Sequence, residues 1–315
     1  MMKLKICFLG NHTVGIRALR VLRREADLVA VVAHPDDPED GVRYLSVFDE
    51  ARRMGVPSIR ATGKCPELAQ LIAAAQPDLI WITDYRYLIP GSVLTMAKLG
   101  AVNLHPSLLP KYRGRAPLNW AILKGESRLG LTAHFVDEGA DTGDIISQCA
   151  FSLFPHQDVG DALNLLYPLY EAMTTEVLAA FTARAVARHP QNGKLASVFP
   201  RRTPEDGLID WSETAREVWN LIRAVAAPYP GAFSPWSEGV LRVWKAEAIT
   251  AFPSSRRPKP GEILSVNADE SKVVVACLDA AIVLSKYELE QTVSPLVAGT
   301  RLGSSCEPVL AGGGR

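Results

Sequence analysis

No run of apolar residues in this chain approaches the roughly 20 that a membrane-spanning helix requires, so a helical membrane protein is not expected. Lys3 and Lys5 are followed only by Ile6–Leu9 before Gly10 and Asn11 interrupt, too short an apolar core for a secretory signal. Cysteine is sparse: the five (Cys7, Cys65, Cys149, Cys277, Cys306) are scattered, with no pair at metal-ligand or redox spacing. They read as reduced packing residues, and the expected compartment is the cytoplasm. Net charge is also lacking, since 34 Lys plus Arg balance 34 Asp plus Glu. No whole-molecule field therefore draws the chain to nucleic acid or to an anionic membrane. The histidines at 34, 134, 156 and 189 show no ligand spacing, and no metal is assigned. GNHTVG (10–15) has neither the Lys-Ser/Thr ending of a phosphate loop nor the spacing of a dinucleotide fingerprint. It reads as a tight turn between strand and helix, a reading that takes in His12, with a substrate contact from that strand end as the alternative.

What is present is an ordinary globular composition, 48% hydrophobic and 22% charged over 315 residues, enough for two domains with substantial cores. In the first half, short apolar runs at 5–10, 28–33, 79–83, 101–104 and 131–136 alternate with helical stretches such as VGIRALRVLRRE and YLSVFDEARRMG. Near-continuously apolar strands separated by helices predict an α/β fold with a parallel sheet covered on both faces. The spacing of Leu163, Leu166, Tyr167, Tyr170, Met173, Val177 and Phe181 predicts one long helix over 158–188, which Pro168 should kink or split. His189-Pro190 stops it, and QNGK (191–194) reads as a turn. Beyond about residue 200, short β-like runs separated by Gly and Pro predict a small barrel of about 100 residues. Trp211, Trp219, Trp236 and Trp244 read as packing residues there, with base stacking by one of them as the alternative.

The densest stretch is AVNLHPSLLPKYRGRAPLNWAILKGESRLGLTAHFVDEGADTGDIIS (101–147). Asn103 and His105 are two apart, so a strand projects both from one face. Asp141 follows in a Gly-flanked polar loop. An amide donor, an imidazole and a carboxylate together can hold a developing oxyanion and move a proton, which is what acyl transfer requires. Ligands of open α/β sheets bind beyond the strand carboxyl ends, where Asn103 and His105 are expected.

NLHPSLLPKYRGRAP followed by DEGADTGD resembles the signature of the folate-dependent formyltransferases. DYRYLIP, PRRTPEDGLIDW, RAVAAPYPGAF and GTRLG extend the similarity over roughly residues 3 to 303, toward the branch that formylates nucleotide-linked 4-amino sugars. The resemblance implies a Rossmann-like, mostly parallel catalytic domain over 1–200, a small OB-like barrel over 201–303 and a loose tail over 304–315. It implies that Asn103 stabilises the oxyanion, His105 transfers the proton and Asp141 raises the pKa of His105. The formyl donor is then 10-formyltetrahydrofolate, released as tetrahydrofolate. Its contacts are implied at Tyr87, Leu88 and Ile89, at Arg115, and along Asp137, Glu138, Gly139 and Ala140. Asp144 is a second carboxylate in that loop, and motif position selects Asp141. Pro106 stands where the sugar and tRNA branches carry Gly, and it removes an N–H there; the glycinamide ribonucleotide branch carries Pro.

The acceptor is expected to be a small molecule, the amine of a nucleotide-linked amino sugar. Arg201 and Arg202 read either as solvated linker charges or as ligands of the nucleotide diphosphate, which guanidinium suits. HPDDPEDGVRY (34–44) sets Asp36, Asp37, Glu39 and Asp40 against one Arg43, a cluster that would repel a phosphate backbone and gives tRNA no grip. An amino-acid-derived amine such as hydroxyornithine, and methionyl-tRNA, are the alternatives within the same chemistry. A formyltetrahydrofolate hydrolase or a folate-binding protein would be a different class. A homo-oligomer is compatible with the sequence, which locates no apolar face for it.

Overall fold

The computed structural model describes residues 3–35, 45–252, 257–267, 269, 271–290 and 294–303; the acidic segment 36–44, Cys306 and the tail 304–315 lie outside the described residues. The N-terminal half is built from β1 (Lys5–Gly10), α1 (His12–Glu25), β2 (Asp27–Ala33), α2 (Val47–Arg53), β3 (Ser58–Arg60), α3 (Pro66–Ala75), β4 (Leu79–Thr83), α4 (Gly91–Leu94) and β5 (Ala101–His105). It continues through β6 (Arg113–Gly114), α5 (Pro117–Leu123), β7 (Arg128–Phe135), β8 (Ile145–Ser152) and α6 (Val159–Thr182). A seven-stranded sheet runs in the order β3-β2-β1-β4-β5-β7-β8. The first five strands are parallel; β7 and β8 are antiparallel additions at one edge. The sheet is therefore mostly parallel, but the run at 131–136 belongs to its antiparallel part.

Alternation along buried strands fills two cores at once. Ile6 and Phe8 of β1, with Leu79 and Trp81 of β4, face the layer of α1, α5 and α6. Cys7 and Leu9, with Ile80 and Ile82, face α3 and α4. Cys7 is fully buried, and burial pushes its thiol up to about 12, as befits a packing residue.

α6 starts from a reciprocal cap. Asp158 accepts from the Gly160 and Asp161 amides, and Asp161 accepts from Asp158 N at 3.0 Å. The helix ends at Thr182 rather than 188, and it passes through Pro168 without splitting. Pro168 and Asn164, whose carbonyl loses its helical donor, both lie on the exposed side, where solvent can take over the lost bond.

The second half comprises β9 (Val198–Phe199), α7 (Ala215–Val225), β10 (Ala232–Trp236), β11 (Gly239–Thr250), β12 (Ile263–Asn267), β13 (Lys272–Ala276) and β14 (Ala281–Glu290). Five of its strands form an antiparallel sheet in the order β10-β11-β14-β13-β12. Its core packs around α7 and takes in Trp211, Trp219 and Trp236, so these three are packing residues and not base-stacking ones. α7 also locks onto the first half. Asn119 Nδ2 donates to Ala224 O at 2.8 Å and Arg223 Nε donates to Gln157 O at 2.6 Å. Ala224 and Ala226 are shared with the N-terminal core.

The carboxyl ends of β1 and β2 are joined by a buried polar pair. His34 is 1% exposed, its Nδ1 lies 2.9 Å from Pro35 O, and Asn11 Nδ2 lies 3.0 Å from Nδ1 and 3.1 Å from Nε2. A neutral ring with the proton on Nδ1 satisfies both partners; a second proton on Nε2 would set donor against donor. Burial holds this imidazole down at about 4 from 6.5, against the opposing pull of the Pro35 carbonyl. Between those values the unfolded chain binds the proton and the folded one does not, so stability is lost as pH falls from 6.5 toward 4, by about 3 kcal/mol from this group. NMR titration of the His34 ring should show a midpoint near 4, and His34→Gln should flatten that part of the stability curve; a midpoint at or above 6.5 would contradict the buried neutral pair.

Candidate active site

The carboxyl ends of β1, β4 and β5 open into a cavity of about 600 Å³, within the size range of small-molecule sites. Every residue singled out from the sequence for a site role lines it: Asn103, His105 and Asp141; Tyr87, Leu88 and Ile89; Arg115; Asp137, Glu138, Gly139 and Ala140; Arg201, Arg202 and His12. A larger depression of about 930 Å³ lies at the opposite end of the sheet, lined by Lys3, Lys5 and Arg23 among others, and none of these chemical groups reaches it.

β5 delivers Asn103 and His105 on the same face, and His105 is its last residue. The ring of His105 is buried, and its Nε2 donates to Tyr112 O at 2.8 Å. Its Nδ1 therefore remains to take a proton, and it lies 3.6 Å from Asp141 Oδ2. Burial lowers the pKa of His105 below the ordinary histidine value; Asp141 and the Tyr112 carbonyl pull it up but do not prevail. The expected upward effect of Asp141 is thus present but outweighed, and the resting ring is neutral.

Asp141 is held from several directions. Oδ2 accepts from Gly114 N at 2.9 Å, while Oδ1 lies 3.4 Å from His134 Nε2 and 3.4 Å from Asn103 Nδ2. Burial pushes its carboxyl up, but the His105 charge, the His134 ring and the Gly114 amide together outweigh burial and hold it well below the usual carboxylate range. Gly114 has φ +93°, and a Cβ there would stand 2.4 Å from Phe199 O, so only glycine brings that amide to the carboxylate. Asp144 points elsewhere: it pairs with Arg188 at 3.3 Å on the surface.

His134, given no role by sequence reasoning, completes the cluster. It lies directly opposite Asn103 in the β5–β7 ladder, as Thr132 lies opposite His105. His134 Nδ1 donates to Phe135 O at 2.7 Å, leaving Nε2 to face Asn103 Nδ2 at 3.2 Å. Polar Thr132 and His134, two apart within an otherwise apolar run, were the available signal. The amide donor of Asn103 is committed only to two long contacts, 3.2 and 3.4 Å. A developing oxyanion in a water-poor site could displace them with a shorter, charge-assisted bond.

The rim is made by three loops. Tyr87 and Leu88 are exposed at the mouth, and the backbone there packs so closely that a Cβ on Gly63 would meet Leu88 O at 2.0 Å. Across from them, β6 pairs with β9. That pairing returns the chain over the site and delivers Arg201 and Arg202. The Arg202 guanidinium lies 4.8 Å over the Trp120 ring, which stacks on Phe199. At the third side His12 Nδ1 meets Asp84 Oδ2 at 2.6 Å, and both residues have positive φ. Asp84 and Tyr229 line the cavity as well, in stretches (DYRYLIP and RAVAAPYPGAF) where neither was given a site role. Neutral imidazole, anchored carboxylate and lightly held amide around one cavity suit nucleophilic transfer of a carbonyl unit.

Residues 5–189 match the family model for formyl transferases, and residues 201–295 match that of the formyl transferase C-terminal domain. The chain is 34% identical over 294 residues to a methionyl-tRNA formyltransferase of Ruminiclostridium cellulolyticum, covering 92% of this chain and 93% of that one. HypX from Aquifex aeolicus shares the fold with a TM-score of 0.60 at 21% identity over 91% of this chain, which spans 46% of that protein. An N-formyltransferase from Helicobacter canadensis, solved with folinic acid and dTDP-3-aminofucose, has a TM-score of 0.64 at 20% identity, covering 91% of this chain and 100% of its own. The chain therefore belongs to the formyl transferase family, enzymes that transfer a formyl group from 10-formyltetrahydrofolate.

Proposed function

We propose that this enzyme N-formylates an amino sugar carried on a nucleotide diphosphate, with Asn103, His105 and Asp141 as its catalytic residues. The observation that carries the acceptor assignment is that Arg201 and Arg202 line the same cavity as those three side chains. Two guanidinium groups beside the reacting centre suit a diphosphate. The residues present also fit the reduced folate. Exposed Leu88 and Tyr87 at the mouth, with Ile82 and Val136 deeper in, give a flat ring apolar surface, and the 85–89 and 136–141 backbones can read its polar edge.

When bound, the donor supplies the one-carbon unit: the acceptor nitrogen bonds to the formyl carbon, the carbon–nitrogen bond to the folate breaks, and the proton lost by the amine ends on the folate nitrogen. The chain's part is to hold geometry and carry that proton. Asn103 Nδ2 turns from its two long contacts toward the formyl oxygen. His105, neutral at rest, takes the proton on Nδ1, where Asp141 stabilises the imidazolium that results, and then returns it. His134 orients the Asn103 amide from across the ladder.

Methionyl-tRNA is the second reading, supported by the 34% identical relative. The two differ in what the acceptor must present, a compact diphosphate or an RNA stem. A panel of nucleotide-linked amino sugars and charged initiator tRNA, assayed with 10-formyltetrahydrofolate, separates them. Tetrahydrofolate release should need an amine, and the sugar nucleotides should be preferred. Faster turnover of the tRNA would reverse the assignment, and release with water alone would identify a hydrolase.

Asn103→Ala should lower kcat about 10²–10³-fold, and His105→Ala about 10²–10⁴-fold, with donor affinity nearly unchanged. Because burial lowers the His105 pKa and the base must be unprotonated, the acid limb of kcat/KM should fall below pH 6.5, the ordinary histidine value. A limb above 6.5 would remove His105 as the base.

A further inference from the structure

Gln191 lies just beyond the point where the chain, having left α6, pairs His189 with Ile145. It does not line the cavity, and neither does Arg113. Yet its amide is used on every side. Nε2 donates to Asp141 O at 2.9 Å and to Gly143 O at 2.7 Å, while Oε1 accepts from Arg113 Nε at 3.2 Å and Nη2 at 2.7 Å. Arg113 is buried in β6, and its neighbour Gly114 gives the amide that holds the Asp141 side chain. Backbone and carboxylate of Asp141 are thus fixed from the same pair of segments.

The loop needs such fixing. Asp141 has φ +55°, a left-handed conformation that residues other than glycine adopt against steric cost. Gly143 admits no side chain, since a Cβ would meet Phe135 O at 2.0 Å. We infer that Gln191 is a positioning residue for formyl transfer, clamping the carbonyls of Asp141 and Gly143 to Arg113 so that the carboxylate stays facing His105. The inference rests on the catalytic reading of Asp141 and His105 given above.

Only an amide offers two donors and an acceptor at once, which makes Gln191→Glu the discriminating substitution. The carboxylate keeps Arg113 paired, and with a charge-assisted bond, but it turns an anion toward two carbonyls and releases the loop. The full-length variant should therefore keep a thermal midpoint close to the parent's. Its kcat should fall about 10–10²-fold, as a displacement of order 1 Å produces, while KM for donor and acceptor stays within about two-fold. Unchanged kcat, or a loss confined to KM, overturns the role of Gln191. Should the Glu variant not fold, Gln191→Met keeps the length and removes all four bonds. A fallen kcat with KM held then supports the clamp, and any other pattern overturns it. Asp141→Asn is measured in parallel: turnover at the parent rate overturns the catalytic reading itself, whereas its loss beside an unimpaired Gln191→Glu overturns the clamp alone.

Discussion

A largely enclosed carboxylate, Asp141, sets the terms for everything around it. Removing an anion from water costs several kcal/mol unless hydrogen bonds and opposite charge replace the lost solvation. Asp141 finds those replacements in the Gly114 amide and the Asn103 amide, and gains an opposite charge when His105 takes a proton. Each replacement imposes a constraint of its own. Gly114 can be nothing but glycine, because the Phe199 carbonyl occupies the space of its Cβ. β9 must therefore pair with β6, and the segment after α6 must return across the sheet end rather than depart for the second half directly.

The histidines at these strand ends divide by what surrounds them. His34 is enclosed by Asn11 and the Pro35 carbonyl, and burial, helped by the nearby Arg86 and His12, outweighs the pull of the carbonyl, so the ring is neutral far below pH 6.5. His105 is buried to a similar degree but faces Asp141 across 3.6 Å. Its neutral form is favoured at rest, while its cation has a partner waiting, which is the balance a proton carrier needs. His12, already bonded to Asp84 at 2.6 Å, is fixed as a rim group.

Much of this was legible in the sequence because it depends on local period. Apolar runs 79–83 and 101–104 become β4 and β5, and a spacing of two puts Asn103 and His105 on one face. What stayed hidden depends on pairing between distant segments. Nothing local distinguishes an antiparallel β7 from a parallel one, and β8, half exposed with the polar residues Ser147 and Gln148, lacks the apolar run that marked its neighbours. β6 and β9 are two residues each, below the length at which any period exists. His134 acquires meaning only from its ladder position opposite Asn103. Pro168 does not split α6 because a proline breaks a helix through its missing N–H and its ring, and both costs shrink on a solvent face of a helix anchored at each turn by Leu166, Tyr170, Met173 and Val177.

On the proposed reading, chemistry and choice of acceptor draw on different parts of the fold. Asn103, His105, His134 and the Asp141 loop all lie at one end of the sheet, whose geometry is fixed by seven paired strands. Arg201 and Arg202 belong to an irregular return segment, held by the Trp120–Phe199 stack and by Trp120 Nε1 donating to Pro200 O at 2.9 Å. That segment is also tied to the chemistry, since Phe199 crowds Gly114 and Gln191 holds the Asp141 loop, so on the proposed reading it is the side chains of Arg201 and Arg202 that can vary without disturbing the transfer residues. A chain on this plan can share 34% of its residues with a protein named for a tRNA substrate, and its fold with one solved beside a sugar nucleotide, without contradiction. The 34% identity runs over 92% of the chain, both halves included, so on the proposed reading the acceptor is chosen by a few side chains that the return segment lays across the cavity.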